Sequence, residues 1–149
     1  VKSLRPKVQY VGAMATGAIS LGAILADRMD LPFFYIRPEA KSHGSRKQVE
    51  GISFEEVQAG QNKCLLFEDL VNSGGSLLKG IDALKETPLE LSHVVSLVSY
   101  DFDVARQRLE SYGTLSSLVG FSDILAWVKS KNISGYEKLV SWHETFYNK

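Results

Sequence analysis

A single cysteine, Cys64, in 149 residues excludes an internal disulfide and leaves too few thiols for a Cys-rich zinc site. Its apolar neighbours in "CLLF" mark it as an inert core thiol rather than a reactive one. Net charge is missing too. The 17 basic and 17 acidic side chains cancel, so no broad field points to nucleic acid or an anionic membrane, and any anion site has to be local. No apolar run approaches the roughly 20 residues a membrane span needs. The opening "VKSLRPK" lacks the apolar centre of a secretory signal. These absences make a cytoplasmic chain with neither a nucleic-acid nor a membrane partner the expectation. The length fits one domain, residues 1–149, with no internal repeat and no low-complexity linker.

What is present is an alternation of strands and helices. "VQYVGAMA" (8–15) reads as a strand, and "GAISLGAILADRM" (17–29) as a helix with a small, close-packing face. "LPFFYIR" (31–37) is aromatic and β-favouring, and it runs into the polar segment 38–51, read as a long mobile loop. Residues 64–67 form a strand buried on both faces, followed by a helix carrying Leu77, Leu78, Ile81 and Leu84 through about Lys85. A further strand at 92–100, an amphipathic helix at 103–113, a short strand and helix within 115–132 capped by Ser122, and a last helix complete the chain. The last helix puts Tyr136, Leu139, Val140 and Phe146 on its apolar side. Such an order predicts an α/β fold, a mostly parallel sheet flanked by helices on both faces, with ligands at the carboxyl ends of the strands.

One junction carries chemistry. In "CLLFEDLVNSGGSLLKG" (64–80) an apolar strand ends in two adjacent carboxylates, Glu68 and Asp69, and then breaks into a glycine turn before a helix. Neighbouring residues of a strand point to opposite sides, so the pair can accept hydrogen bonds from vicinal hydroxyls, which suits a ribose diol. Directly after it, Asn72, Ser73, Gly74, Gly75 and Ser76 supply hydroxyls, two glycines able to take positive φ, and free N–H groups at a helix start. That combination suits a terminal phosphate. The spacing matches neither a P-loop nor a dinucleotide fingerprint. A sugar phosphate lying across one loop fits better. A second cluster, "YIRPEAKSHGSRK" (35–47), places Arg37, Lys41, His43, Arg46 and Lys47 on a segment with a glycine hinge, able to fold over a polyphosphate.

These motifs resemble a known family. "FEDLVNSGGS" resembles the phosphoribosyl pyrophosphate (PRPP) motif of type I phosphoribosyltransferases, and "DLPFFYIRPEAKSHGSRKQVEG" resembles the catalytic-loop region of orotate phosphoribosyltransferases. The resemblance extends from about Val8 to the C-terminus, with "ATGAIS" (15–20) as the pyrophosphate loop. It implies magnesium-dependent transfer of a 5-phosphoribosyl group from PRPP to N1 of orotate, giving orotidine 5'-monophosphate and pyrophosphate. Under it, PRPP is bound by Thr16, Arg37, Lys41, His43 and the run Glu68, Asp69, Leu70, Val71, Asn72, Ser73, Gly74, Gly75 and Ser76. Asn72 also contacts orotate. Lys41, His43 and Asp69 are the catalytic residues, Mg2+ arrives with PRPP or pyrophosphate, and a homodimer shares its catalytic loop between subunits.

Several positions depart from the family pattern. The chain begins at Val1, and the family's amino-terminal hood segment is expected to be missing, leaving the orotate pocket incomplete. Pro38 follows Arg37 where many members carry a second basic residue, and Asn72 stands where Ser or Thr is usual. Phe102 stands where some members place an arginine against the orotate carboxylate, and "GSRKQ" replaces a more flexible loop sequence. Two other readings stay open: a PRPP-binding regulatory protein, and a phosphoribosyltransferase for another base. His93 and His143 are expected to be structural, Trp127 and Trp142 to be core or interface anchors, and the charged helix face in "DFDVARQRLE" to be solvated.

Overall fold

The computed structural model describes residues 8–39 and 48–147. Six strands form one sheet: β1 (Tyr10–Met14), β2 (Phe33–Ile36), β3 (Val49–Glu50), β4 (Lys63–Val71), β5 (Glu90–Ser99) and β6 (Thr114–Gly120), in the spatial order β3-β2-β1-β4-β5-β6. Every neighbouring pair is parallel except β2 and β3. The helices are α1 (Ile19–Met29), α2 (Gly75–Lys85), α3 (Asp103–Leu109), α4 (Phe121–Ser130) and α5 (Tyr136–Tyr147). Among the described residues no helix is long and apolar enough to cross a membrane.

The alternation of side chains along β4 explains the layering. Cys64 and Leu66 pack with Leu77, Ile81 and Leu84 of α2 and Ala105 and Leu109 of α3, while Leu65 and Phe67 pack on the other face with Ala26 and Met29 of α1. A strand buried on both sides has to be apolar throughout, and 64–67 is. Each such fully buried side chain contributes about 1.5–3 kcal/mol relative to exposure. Burial also pushes the Cys64 thiol up to about 12, in keeping with an inert core role.

The chain winds in two directions from the centre. From β1 it passes through α1 to β2 on one side; from β4 it passes through α2 and α3 to β5 and β6 on the other. The reversal falls between β1 and β4, paired from Tyr10 opposite Cys64 to Ala13 opposite Phe67. A crevice opens at such a point outside the carboxyl ends of the strands.

Three expectations need correction and a fourth is narrowed. The polar segment 38–51 contains β3, whose two residues pair with Tyr35 and Ile36 to make a short antiparallel stem. β4 does not stop at residue 67 but runs to Val71, because its ladder with β5 continues to Val71 opposite Ser99. Helix α4 begins after Gly120, whose N–H donates to Asp123 Oδ2 at 2.9 Å, so Ser122 is not the cap. Trp127 is 57% exposed, so of its two expected roles, core or interface anchor, the core role within this chain is excluded.

Close packing at β1 sets a strict size limit. Phe34 is fully buried, and a Cβ on Gly12 would overlap its ring. Gly12→Ala is expected to lower unfolding free energy by about 1–3 kcal/mol in urea titrations. Combined with Phe34→Leu, the loss should be smaller than the sum of the single losses. Strict additivity would show that the two positions do not compete for space.

Candidate active site

The loops at the carboxyl ends of β1, β2 and β4 converge on the crevice. The Ala15 N–H donates to Ile36 O at 2.8 Å, tying the turn after β1 to the end of β2. Thr16 and Gly17 are exposed in that turn, and the Ala15–Thr16 peptide is cis. The Gly17 backbone lies against the Asp69 side chain so closely that a Cβ would overlap the carboxylate. Thr16 and Asp69, 53 positions apart by number, therefore belong to one site.

The two carboxylates lie inside β4, and the strand's alternation separates them. Glu68 is only 6% exposed and lines the cavity beside α2, while Asp69 is half-buried and faces the 15–18 turn. Glu68 Oε1 accepts from the Asp69 N–H at 3.2 Å, and Asp69 Oδ1 accepts from the Leu70 N–H at 2.8 Å. Burial pushes the Glu68 carboxyl up to about 8, helped by the side-chain hydrogen bond and charge of Asp69, with the Asp69 amide pulling the other way. In the ligand-free chain Glu68 is thus mostly protonated at neutral pH, and a carboxylic acid can donate as well as accept.

Above Glu68 sits a cavity of about 230 Å³ lined by Leu70, Val71, Asn72, Ser73, Gly74, Gly75, Ser76 and Leu77. Gly74, with φ 77°, turns the chain into α2, a conformation that other residues adopt only with strain. The first turn of α2 follows at once, so its N–H groups and dipole face the cavity's side of the turn. The turn is braced from behind: Arg108 Nη1 donates to Ser73 O at 3.1 Å, and the Tyr100 N–H donates to Val71 O at 2.9 Å. Part of the α3 charge is therefore structural rather than simply solvated. Nothing in the sequence spacing singles out Arg108, because its contact spans 35 positions.

Arg37 leaves the end of β2 half-exposed, its Nε donating to Glu50 Oε1 at 2.8 Å. No local sequence signal marks Glu50, because the two-residue strand that carries it lies inside a polar segment. Lys41 and His43, with Arg46 and Lys47, lie outside the described residues. Among the described residues no three His, Cys, Asp or Glu side chains converge to hold a metal.

A larger groove of about 1120 Å³ runs along α3 and β6, and it touches Ser99 and Asp101 but neither carboxylate of β4. At its margin Phe102 is buried among Tyr100, Trp142 and His143. His143 stacks on Phe121 at 4.5 Å and shares a 2.6 Å hydrogen bond with Tyr100 O, which docks α5 on the loop after β5. This is the structural role expected of it. His93 lies within β5, its Nδ1 2.8 Å from Ser92 Oγ.

The phosphoribosyl transferase domain family matches residues 7–125. The orotate phosphoribosyltransferase of Bacillus anthracis is 34% identical over 148 residues, covering 97% of this chain and 68% of that protein. Among solved structures, orotate phosphoribosyltransferase from Aeropyrum pernix superposes with a TM-score of 0.69 at 27% identity, over 83% of this chain and 66% of that one. Leishmania donovani UMP synthase shares the fold with a TM-score of 0.76 at 20% identity, covering 97% of this chain and 31% of that one. The chain thus spans about two thirds of the length of the Bacillus and Aeropyrum relatives. The domain match over residues 7–125 and the 34% identity along most of the sequence agree with the crevice at the switch point and lead to one assignment: the chain belongs to the phosphoribosyltransferases, in the orotate phosphoribosyltransferase family.

Proposed function

We propose that this chain carries the PRPP site and the transfer centre of an orotate phosphoribosyltransferase. The observation that carries the reading is the cavity in which a buried carboxyl, Glu68, lies directly under the amide-rich turn 72–77. A sugar phosphate presents both hydroxyls for a carboxyl group and a phosphate for such a turn. The names of the curated relatives favour orotate over another base and an enzyme over a PRPP-binding regulator.

In this reading the 5-phosphate sits on the N–H groups and hydroxyls of residues 72–76, where the α2 dipole favours an anion. Leu70 and Val71 line the same cavity and complete the PRPP-binding run. Glu68 and Asp69 hold the ribose hydroxyls from the two sides of β4. Magnesium bound together with the donor would supply positive charge against the leaving pyrophosphate. Thr16 and Arg37 are assigned to the pyrophosphate, with Lys41 and His43 acting on the same leaving group. Attack by orotate N1 on C1 of the ribose breaks the bond from C1 to the pyrophosphate oxygen, and the electron pair leaves with pyrophosphate. Positive charge grows on the ring and negative charge on the leaving group, so Asp69 and the cationic side chains stabilise opposite ends of one transition state. Asn72, exposed at the rim, contacts the base.

A homodimer sharing the loop, in the cytoplasm, belongs to the same proposal. Leu21 and Ile24 on α1 stay exposed at 38% and 57%, surface that a subunit contact would bury. Light scattering is expected to return twice the chain mass of 16.5 kDa; a monomer at micromolar concentration would exclude a shared site.

Transfer is tested by loss of orotate absorbance with PRPP and magnesium. Asp69→Asn is expected to lower kcat/KM by about 10- to 100-fold while PRPP affinity, measured by calorimetry, changes much less. Equal turnover in variant and parent would remove Asp69 from the transition state. Glu68 generates a prediction on stability. Its folded-state proton affinity lies above the ordinary value of 4.5, so its contribution is full below that value and is lost as pH rises toward 8. Glu68→Gln should therefore match the parent in thermal unfolding near pH 5 and exceed it at pH 9, by of order one to three kcal/mol. A difference independent of pH would contradict the raised proton affinity.

A further inference from the structure

The stem of the segment between β2 and β3 holds a side-chain network around Arg37 in which Tyr35 and Glu50 have no part in the transfer chemistry above. β2 and β3 pair with Tyr35 opposite Glu50 and Ile36 opposite Val49. The Arg37 N–H extends the ladder by donating to Gln48 O at 2.9 Å, and Gln48 Nε2 donates to Arg37 O at 3.2 Å. Across this stem the two oxygens of Glu50 divide their work. Oε1 accepts from Arg37 Nε at 2.8 Å, and Oε2 accepts from the Tyr35 hydroxyl at 2.8 Å. The Tyr35 ring lies 5.7 Å from the guanidinium carbon. Hydrogen bonds with Tyr35 first and Glu50 second raise the proton affinity of Arg37 further, so its charge is permanent.

Glu50 touches the guanidinium through Nε. Tyr35 also hydrogen-bonds to the Arg37 side chain, and the guanidinium has more N–H donors than these two partners use, including the Nη fork that matches phosphate oxygens in pairs. The same arginine follows Ile36, whose carbonyl accepts from the Ala15 N–H, so it stands beside the turn that carries Thr16. We propose that Glu50 is a positioning residue: braced by Tyr35, it grips Arg37 at Nε and presents the Nη fork to the diphosphate of the donor. The inference rests on the phosphoribosyl-transfer reading, and it adds a residue that makes no contact with substrate.

The alternative effect of Glu50 has the opposite sign. A carboxylate near an anion site repels the anion, and if charge alone mattered its removal would tighten binding. The side chains of Glu50 and Arg37 are 21% and 39% exposed and neutralise one another at short range, so orientation is the larger effect. An unbraced arginine has many rotamers to lose when it binds.

Calorimetry with magnesium pyrophosphate and with magnesium PRPP separates the cases, using the parent chain, Glu50→Ala, Glu50→Gln, Arg37→Ala and the double variant Glu50→Ala with Arg37→Ala. Glu50→Ala is expected to bind both ligands about two- to fivefold more weakly. Glu50→Gln should recover part of the loss, because its amide oxygen still accepts from Nε. The double variant should bind no more weakly than Arg37→Ala alone. The Arg37 Nε–H resonance, protected from exchange in the parent, should exchange rapidly in Glu50→Ala. Unchanged or tighter binding in Glu50→Ala, or additive losses in the double variant, would overturn the proposal. A parent chain that binds neither ligand would instead overturn the transfer reading, and this inference with it.

Discussion

Everything at the site depends on a carboxyl group buried where a central strand meets a helix. Glu68 lies in β4, between strands on both sides and under the turn that starts α2, at 6% exposure. Desolvation there opposes the charged form, and Asp69 next in sequence opposes it again. Such a group is unfavourable in an apo core, and folding tolerates it because the proton stays on. A ligand that brings hydroxyl groups into the cavity changes that balance by supplying hydrogen bonds water cannot reach. The arrangement places readiness for a diol ahead of stability.

The surrounding contacts keep this position from relaxing. Tyr100 is bonded to Val71, and Arg108 to Ser73, so the turn above Glu68 is held from β5 and α3. On the other face, Asp69 rests on Gly17, and Ala15 is bonded to the end of β2. His143 adds a more distant tie through Tyr100 O, with Asp101 accepting from the Ser122 N–H at 3.3 Å beside it. The anion turn, the acidic pair and the loop after β1 are therefore fixed relative to one another by the ladder of β1 with β4 and by these loop contacts. Pre-set donors and acceptors of this kind stabilise developing charge without reorganising at the moment of reaction.

Much of this was legible in the sequence because the signals were local. Apolar runs at 64–67 and 92–100, small residues in the first helix and the glycine turn at 72–76 all depend on neighbours within a few positions. What stayed hidden depends on pairing across distance. β3 has only two residues, too few for a period, and it exists because Tyr35 and Ile36 offer it a ladder. Glu50 and Arg108 read as solvent charges until the fold brings them to Arg37 and Ser73. The length of β4 was underestimated for the same reason: two carboxylates look like a strand's end, and only the ladder with β5 extends it to Val71. Phe102 is buried in an aromatic cluster, an outcome that its own short context does not reveal.

The measurement that tests the central claim most directly is an amide NMR titration of the chain with magnesium PRPP. The account predicts shifts concentrated at residues 16–18, at Arg37 and at 68–77, with the largest among the amides of Ser73 to Leu77. Shifts centred instead on the wide groove of α3 and β6, around Asp103, Arg106 and Ser117, would contradict it and move the ligand to the other side of the turn.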